Sequence, residues 1–213
     1  MNAPDCQLYL ISPLDVGGNF VDRLDRALAA SEGLASAFQF RVKEVDQHEA
    51  ARLAAPLQEV CAAHEVGFIV NDSVPLAKRL KADGVHLGQS DGNVREAREE
   101  LGREMQIGVT CHASRHLAME AGEAGADYVA FGAFFPSTTK RITTPADTNI
   151  LSWWQEMMTV PCVAIGGITA SNIQEVIATG CRRVAVIGAV MSAQDPQTAC
   201  LKLMQSLTQQ TLS

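Results

Sequence analysis

Two apolar runs end on carboxylates: VND at 70–72 closes on Asp72, and HLGQSD at 86–91 carries Gln89 and then Asp91. Upstream, QFRVK at 39–43 alternates polar with apolar residues, so in an extended chain Gln39, Arg41 and Lys43 share one face. Carboxylates at neighbouring strand ends suit Mg²⁺, which takes one or two carboxylates and completes its shell with water and substrate phosphates. An arginine and a lysine facing them suit an anion such as a diphosphate, which the metal would bridge to the protein. Three long polar side chains turned into an interior are expensive without a ligand, although the same alternation also describes a strand with one face in solvent. Taken singly, each aspartate reads more simply as a helix cap, Asp72 for a helix starting near Val74 and Asp91 for one near Val94. Their joint placement with Gln39, Arg41 and Lys43 favours the metal.

Other strand ends carry a second group of polar residues. GVTCH at 108–112 supplies Thr110, whose hydroxyl can bond a ligand, and His112, a candidate acid or base. Cys111 beside it points to the opposite face of a strand, so a Cys–His pair is not expected. His48, His64, His86 and His116 fall in helices or mid-strand and read as structural. The segment FFPSTTKRITTPAD at 134–147 has Ser137 and Thr139 close to Lys140 and Arg141, the composition of a lid that closes over phosphate and equally of an ordinary loop. Gly166 and Gly167, then Ile187 and Gly188, sit where backbone N–H groups could hold a monophosphate, though paired glycines also mark a plain tight turn.

The elements that must position these residues repeat along the chain. Apolar runs at 7–12, 37–43, 67–72, 84–89, 106–111, 127–134, 162–167 and 183–190 read as strands, each followed by a loop and an amphipathic stretch such as VDRLDRALAA or NVREAREEL. Eight such units predict a single (β/α)₈ barrel over residues 1–213, with its site at the carboxyl ends of the strands. An open doubly wound sheet would give the same alternation, but ISPLDVGGN after the first strand is not a GxGxxG turn. A chain of 213 residues, 47% hydrophobic, supports one core. Its net charge of −7 argues against nucleic acid as a partner. The six cysteines lack zinc or disulfide spacing and read as reduced thiols of a cytoplasmic protein. No long apolar run or basic leader appears, so no membrane association is expected.

The ordered set QFRVK, ND, HLGQSD, GVTCH, FPSTTK, AIGGI and VIGAV resembles the thiamine phosphate synthase family over nearly the whole chain. The resemblance implies a (β/α)₈ barrel that joins hydroxymethylpyrimidine diphosphate to a thiazole phosphate, or its carboxylate, with Mg²⁺ and release of pyrophosphate. It implies that Gln39, Arg41, Lys43 and Asn71 hold the pyrimidine diphosphate, that Asp72 and Asp91 hold the metal, and that Thr110 lies on the pyrimidine side. Lys140 would contact the diphosphate and act with Arg41 and Lys43 on the departing pyrophosphate. Ser137, Thr139, Gly167, Ile187 and Gly188 would surround the thiazole phosphate. The sequence departs from the family pattern at Thr110 and Gly188, where serine is usual, and at Ser73 and Pro75, where arginine and aspartate are usual. Two rival expectations follow: a related thiazole tautomerase using His112, and a barrel that binds the precursors without turnover. The substrates are small molecules in either case, and the sequence leaves the oligomeric state open, a homo-oligomer included.

Overall fold

Alternate residues of the first strand part to two different cores. Leu8 and Leu10 join the apolar layer that contains Phe20, Leu24, Phe38 and Phe40, whereas Tyr9 and Ile11 pack with Ile69, Tyr128, Ala130, Val163 and Ala185 in a separate cluster. A parallel strand buried on both faces has this character, and a closed barrel makes the inner face an interior of its own. The computed structural model describes residues 6–137 and 145–208. Strands β1 (Gln7–Ile11), β2 (Ala35–Phe40), β3 (Gly67–Asn71), β4 (Gly84–Leu87), β5 (Gln106–His112), β6 (Tyr128–Phe131), β7 (Cys162–Ile165) and β8 (Arg183–Val186) form a closed barrel, in which β8 pairs with β1 and every pairing is parallel. The helices α1 (Phe20–Ala30), α2 (Gln47–Ala63), α3 (Val74–Leu80), α4 (Val94–Leu101), α5 (Arg115–Glu123), α6 (Asn149–Met157), α7 (Ile173–Ile177) and α8 (Pro196–Thr208) alternate with the strands. The fold is the (β/α)₈ barrel that the eight repeated units predict.

The helices dock by apolar stripes. α1 buries Phe20, Leu24, Ala27 and Leu28 along one side. α6, the least periodic in sequence, is anchored by Trp154, which is fully buried, meets Phe131 edge-on and donates its Nε1–H to the Val160 carbonyl at 2.7 Å.

Several strands stop earlier than their apolar runs predict. The second strand was expected to continue to residue 43, but β2 ends at Phe40, where its last partner is Val70. Beyond it the Arg41 backbone turns to a side chain: its N–H donates to the fully buried Ser12 hydroxyl at 2.8 Å, and that hydroxyl reaches the Arg41 carbonyl at 3.2 Å. Gln39, Arg41 and Lys43 therefore do not share one strand face. Gln39 points into the interior, Arg41 is half-buried at the rim and Lys43 is exposed. Likewise β4 ends at Leu87, which leaves Gln89 and Asp91 in the loop that follows, and β6, β7 and β8 end at residues 131, 165 and 186.

Candidate active site

The carboxyl mouth is assembled from chain that has just left the sheet. Asp72 follows β3 in the left-handed region at φ 63°, uncommon for a residue with a side chain, and its N–H donates to the His86 carbonyl of β4 at 2.8 Å. Asp91 folds back on its own loop, where one carboxylate oxygen accepts from the Gly88 N–H at 2.9 Å and the other from the Ser90 hydroxyl at 3.4 Å. The two carboxyl groups come within hydrogen-bonding reach of each other. Burial raises the Asp72 carboxyl above its ordinary range; the Asp91 charge and its contact push the same way, and Lys43 and Arg41 oppose them.

Neither aspartate caps the helix that follows it. Ser73 caps α3, its hydroxyl accepting from Leu76 N–H at 3.2 Å, and Asn93 caps α4, its side-chain oxygen accepting from Arg95 N–H at 2.8 Å and Glu96 N–H at 3.4 Å. The helix-cap explanation of Asp72 and Asp91 is thereby removed. Two mutually repelling carboxylates beside two cations fit a hard divalent cation flanked by an anionic substrate. No group of three or more potential ligands among His, Cys, Asp and Glu occurs among the described residues, so a cation there would complete its shell with water and substrate oxygens.

Beneath this rim lies a polar network that the sequence did not announce. Gln39, 3% exposed, donates Nε2–H to the Tyr9 hydroxyl at 3.0 Å; Tyr9 and Tyr128 hydroxyls meet at 2.8 Å. His86, 6% exposed, bridges the Tyr128 hydroxyl through Nδ1 at 3.1 Å and the Thr110 hydroxyl through Nε2 at 2.8 Å. Gln89 reaches across from its loop to the Thr110 carbonyl at 2.6 Å. Burial holds His86 at a pKa of about 4 and raises Tyr9 to about 12, so neither is ionised near neutrality. His86 is structural in being buried, but it touches Thr110, a contact between residues 24 positions apart that no local pattern encodes. Asn71 is half-buried at the end of β3, opposite His86 in the ladder.

On the far side, Gly167 follows β7 at φ 67°, and a Cβ there would lie 2.3 Å from the Phe135 carbonyl oxygen, so only glycine fits. Asn172, missed by sequence reasoning, braces this loop: it donates to the Gly167 carbonyl at 3.0 Å and accepts from Thr169 N–H at 2.8 Å. After β8 the Ile187 carbonyl accepts from Met191 N–H at 2.8 Å, and Gly188 is exposed on the turn. Ser137 is half-buried, whereas Thr139, Lys140 and Arg141 lie outside the described residues. At the end of β5, His112 is exposed at φ 50° and Cys111 is buried on the other face, its thiol pushed up to about 12 by burial, so the two form no pair.

A closed (β/α)₈ barrel with an acidic pair and a basic pair at its carboxyl mouth belongs to the class of barrel enzymes that handle anionic substrates. The family model described as thiamine monophosphate synthase matches residues 8–190. The thiamine-phosphate synthase of Erythrobacter litoralis is 66% identical over 89% of this chain and 90% of its own length, and that of Rhodospirillum centenum is 49% identical over 87% and 89%. Among solved structures, the thiamine phosphate pyrophosphorylase of Pyrococcus furiosus superposes with a TM-score of 0.83 at 32% identity, covering 99% of this chain and 98% of its own. The chain belongs to the thiamine monophosphate synthase family, and its activity is that family's transferase reaction in thiamine biosynthesis.

Proposed function

We propose that the carboxyl mouth transfers the pyrimidinylmethyl group of hydroxymethylpyrimidine diphosphate to the ring nitrogen of a thiazole phosphate, or its carboxylate, in a Mg²⁺-dependent reaction that releases pyrophosphate. One observation carries this reading: Asp72 and Asp91 converge while Ser73 and Asn93 do the capping, so the two carboxylates are kept for something other than the helices. Asp72 and Asp91 would hold the Mg²⁺, and when bound it supplies positive charge against the diphosphate.

The remaining work falls to the chain. Arg41 and Lys43 sit close enough to Asp72 for their charge to reach its carboxyl, and on the same side they would bind the diphosphate and stabilise negative charge as the C–O bond to the pyrimidine methylene breaks. Lys140 would join them, as the family resemblance implies. Gln39, Asn71 and Thr110 would orient the pyrimidine ring. Gly167, Ile187 and Gly188, with Ser137 and Thr139, would place the thiazole phosphate through backbone N–H groups and hydroxyls, so that the thiazole nitrogen meets the electron-poor methylene carbon. Capture by a ring nitrogen needs no general base, and His112 has no part in it. The six cysteines are buried and unpaired, which supports a reducing, cytoplasmic setting.

Incubating the purified protein with Mg²⁺ and both precursors should yield thiamine phosphate and pyrophosphate in equal amounts. Absence of pyrophosphate at saturating substrate would overturn the assignment.

A further inference from the structure

The interior of a small barrel is normally closed by apolar side chains, and burying hydroxyls, an imidazole and an amide there is costly unless each finds a partner. Here residues from β2, β1, β6, β4 and β5 form an unbroken line, Gln39 to Tyr9 to Tyr128 to His86 to Thr110, with successive separations of 3.0, 2.8, 3.1 and 2.8 Å. Space is made for it: the Tyr128 ring crosses β5 at Gly108, where a Cβ would lie 2.0 Å from the ring. The ring also stands edge-on to Tyr9 and tilted against His86.

Counting protons along the line gives it a direction. The Gln39 amide nitrogen can only donate, so the Tyr9 oxygen accepts. Tyr9 is buried and its hydroxyl meets no other acceptor among the described residues, so its single proton goes to the Tyr128 oxygen. The Tyr128 proton then has one acceptor, His86 Nδ1. With Nδ1 accepting, the His86 proton sits on Nε2 and is given to the Thr110 oxygen. Thr110, half-exposed at the mouth, keeps its own proton to give away.

We infer that this one-way chain fixes His86 as the Nε2–H tautomer and turns the Thr110 hydroxyl outward as a donor, so that Tyr9, Tyr128 and His86 are positioning residues that make the site select a ring carrying a hydrogen-bond acceptor. The inference deepens the proposed function and rests on its placing the pyrimidine against Thr110. Its consequence is asymmetric: a heterocycle with a ring nitrogen at that place is bound, and one with C–H in its stead leaves the Thr110 donor unpaired.

Nitrogen-15 NMR of histidine-labelled protein at neutral pH reads the tautomer directly in the ligand-free state. His86 should show a protonated Nε2 and a bare Nδ1. Tyr128→Phe keeps the ring but removes the proton that holds Nδ1 as an acceptor, so His86 is no longer fixed in one tautomer and Thr110 no longer held as an outward donor; KM for the pyrimidine diphosphate should rise several-fold, with a smaller change in kcat. Thr110→Val should raise the same KM, and Thr110→Ser should restore it. A Tm close to that of the parent shows that the variants fold. An Nδ1–H His86 in the parent protein, or an unchanged KM in Tyr128→Phe, would overturn the inference. Failure of the parent to release pyrophosphate would instead overturn the synthase assignment, and with it the identity of the ring, while the tautomer is read independently.

Discussion

Asp72 and Asp91 repel one another at the barrel mouth and serve neither adjacent helix, which is unfavourable for a protein without a cation. Because the Asp72 carboxyl is raised above its ordinary range, the metal-free protein is relatively more stable below the carboxylate range and loses that advantage as pH rises through the raised value. Replacing Asp91 by asparagine removes the charge yet keeps an oxygen for the Gly88 N–H. Asp91→Asn should therefore raise the Tm of the metal-free protein at neutral pH by about 1–2 °C while shifting any further rise on adding Mg²⁺ to much higher ion concentration; differential scanning calorimetry across a Mg²⁺ series checks both. His86 has the opposite sign. Its pKa is depressed to about 4 from 6.5, so its contribution is complete above 6.5 and is lost as pH falls towards 4. A depression of this size corresponds to at most about 3 kcal/mol. Urea unfolding between pH 7 and 4 should show a loss of this order, flattened in His86→Gln.

At the scale of elements, the number and order of strands and helices were legible because each strand buries an apolar face against the helices and helices such as α1 carry an apolar stripe. Strand ends were not, because the ladder stops where a distant side chain takes over the backbone. Nothing in QFRVK says that Arg41 will be held by Ser12, 29 residues earlier. The acidic pair was legible as a pair, since both aspartates follow apolar runs, but its freedom from capping depended on Ser73 and Asn93, equally ordinary cap residues nearby. The inner relay was illegible for the same reason as the strand ends: Gln39, Tyr9, Tyr128, His86 and Thr110 come from five separate strands. Ser12 tests the link between strand end and site. Ser12→Ala leaves the Arg41 N–H without its partner in a buried place, and should cost about 1–2 kcal/mol in chemical denaturation and raise KM for the diphosphate substrate several-fold. An unchanged KM would show that Arg41 is positioned by other means.

For the whole molecule, the closed barrel gathers at one rim residues that the sequence spreads from Gln39 to Gly188, and the inner relay ties the two sides of that rim through the core. A match covering 99% of this chain and 98% of a solved pyrophosphorylase shows the scaffold kept end to end, with the departures at Thr110, Ser73, Pro75 and Gly188 falling near a strand end, in loops and in the first turn of α3. Ser73 serves as a cap of α3 and so has a local role in this chain, whereas nothing in the structure explains glycine at 188, on an exposed turn after β8. The central claim is that the Asp72 and Asp91 pair holds the ion against which the diphosphate departs. Pyrophosphate release as a function of Mg²⁺ concentration, in the parent, Asp72→Asn and Asp91→Asn, tests it most directly. The account expects saturable Mg²⁺ dependence in the parent and losses of at least about 100-fold in both variants, partly recovered at high Mg²⁺. Metal-independent release by the parent, or variants that match it at low Mg²⁺, would contradict it.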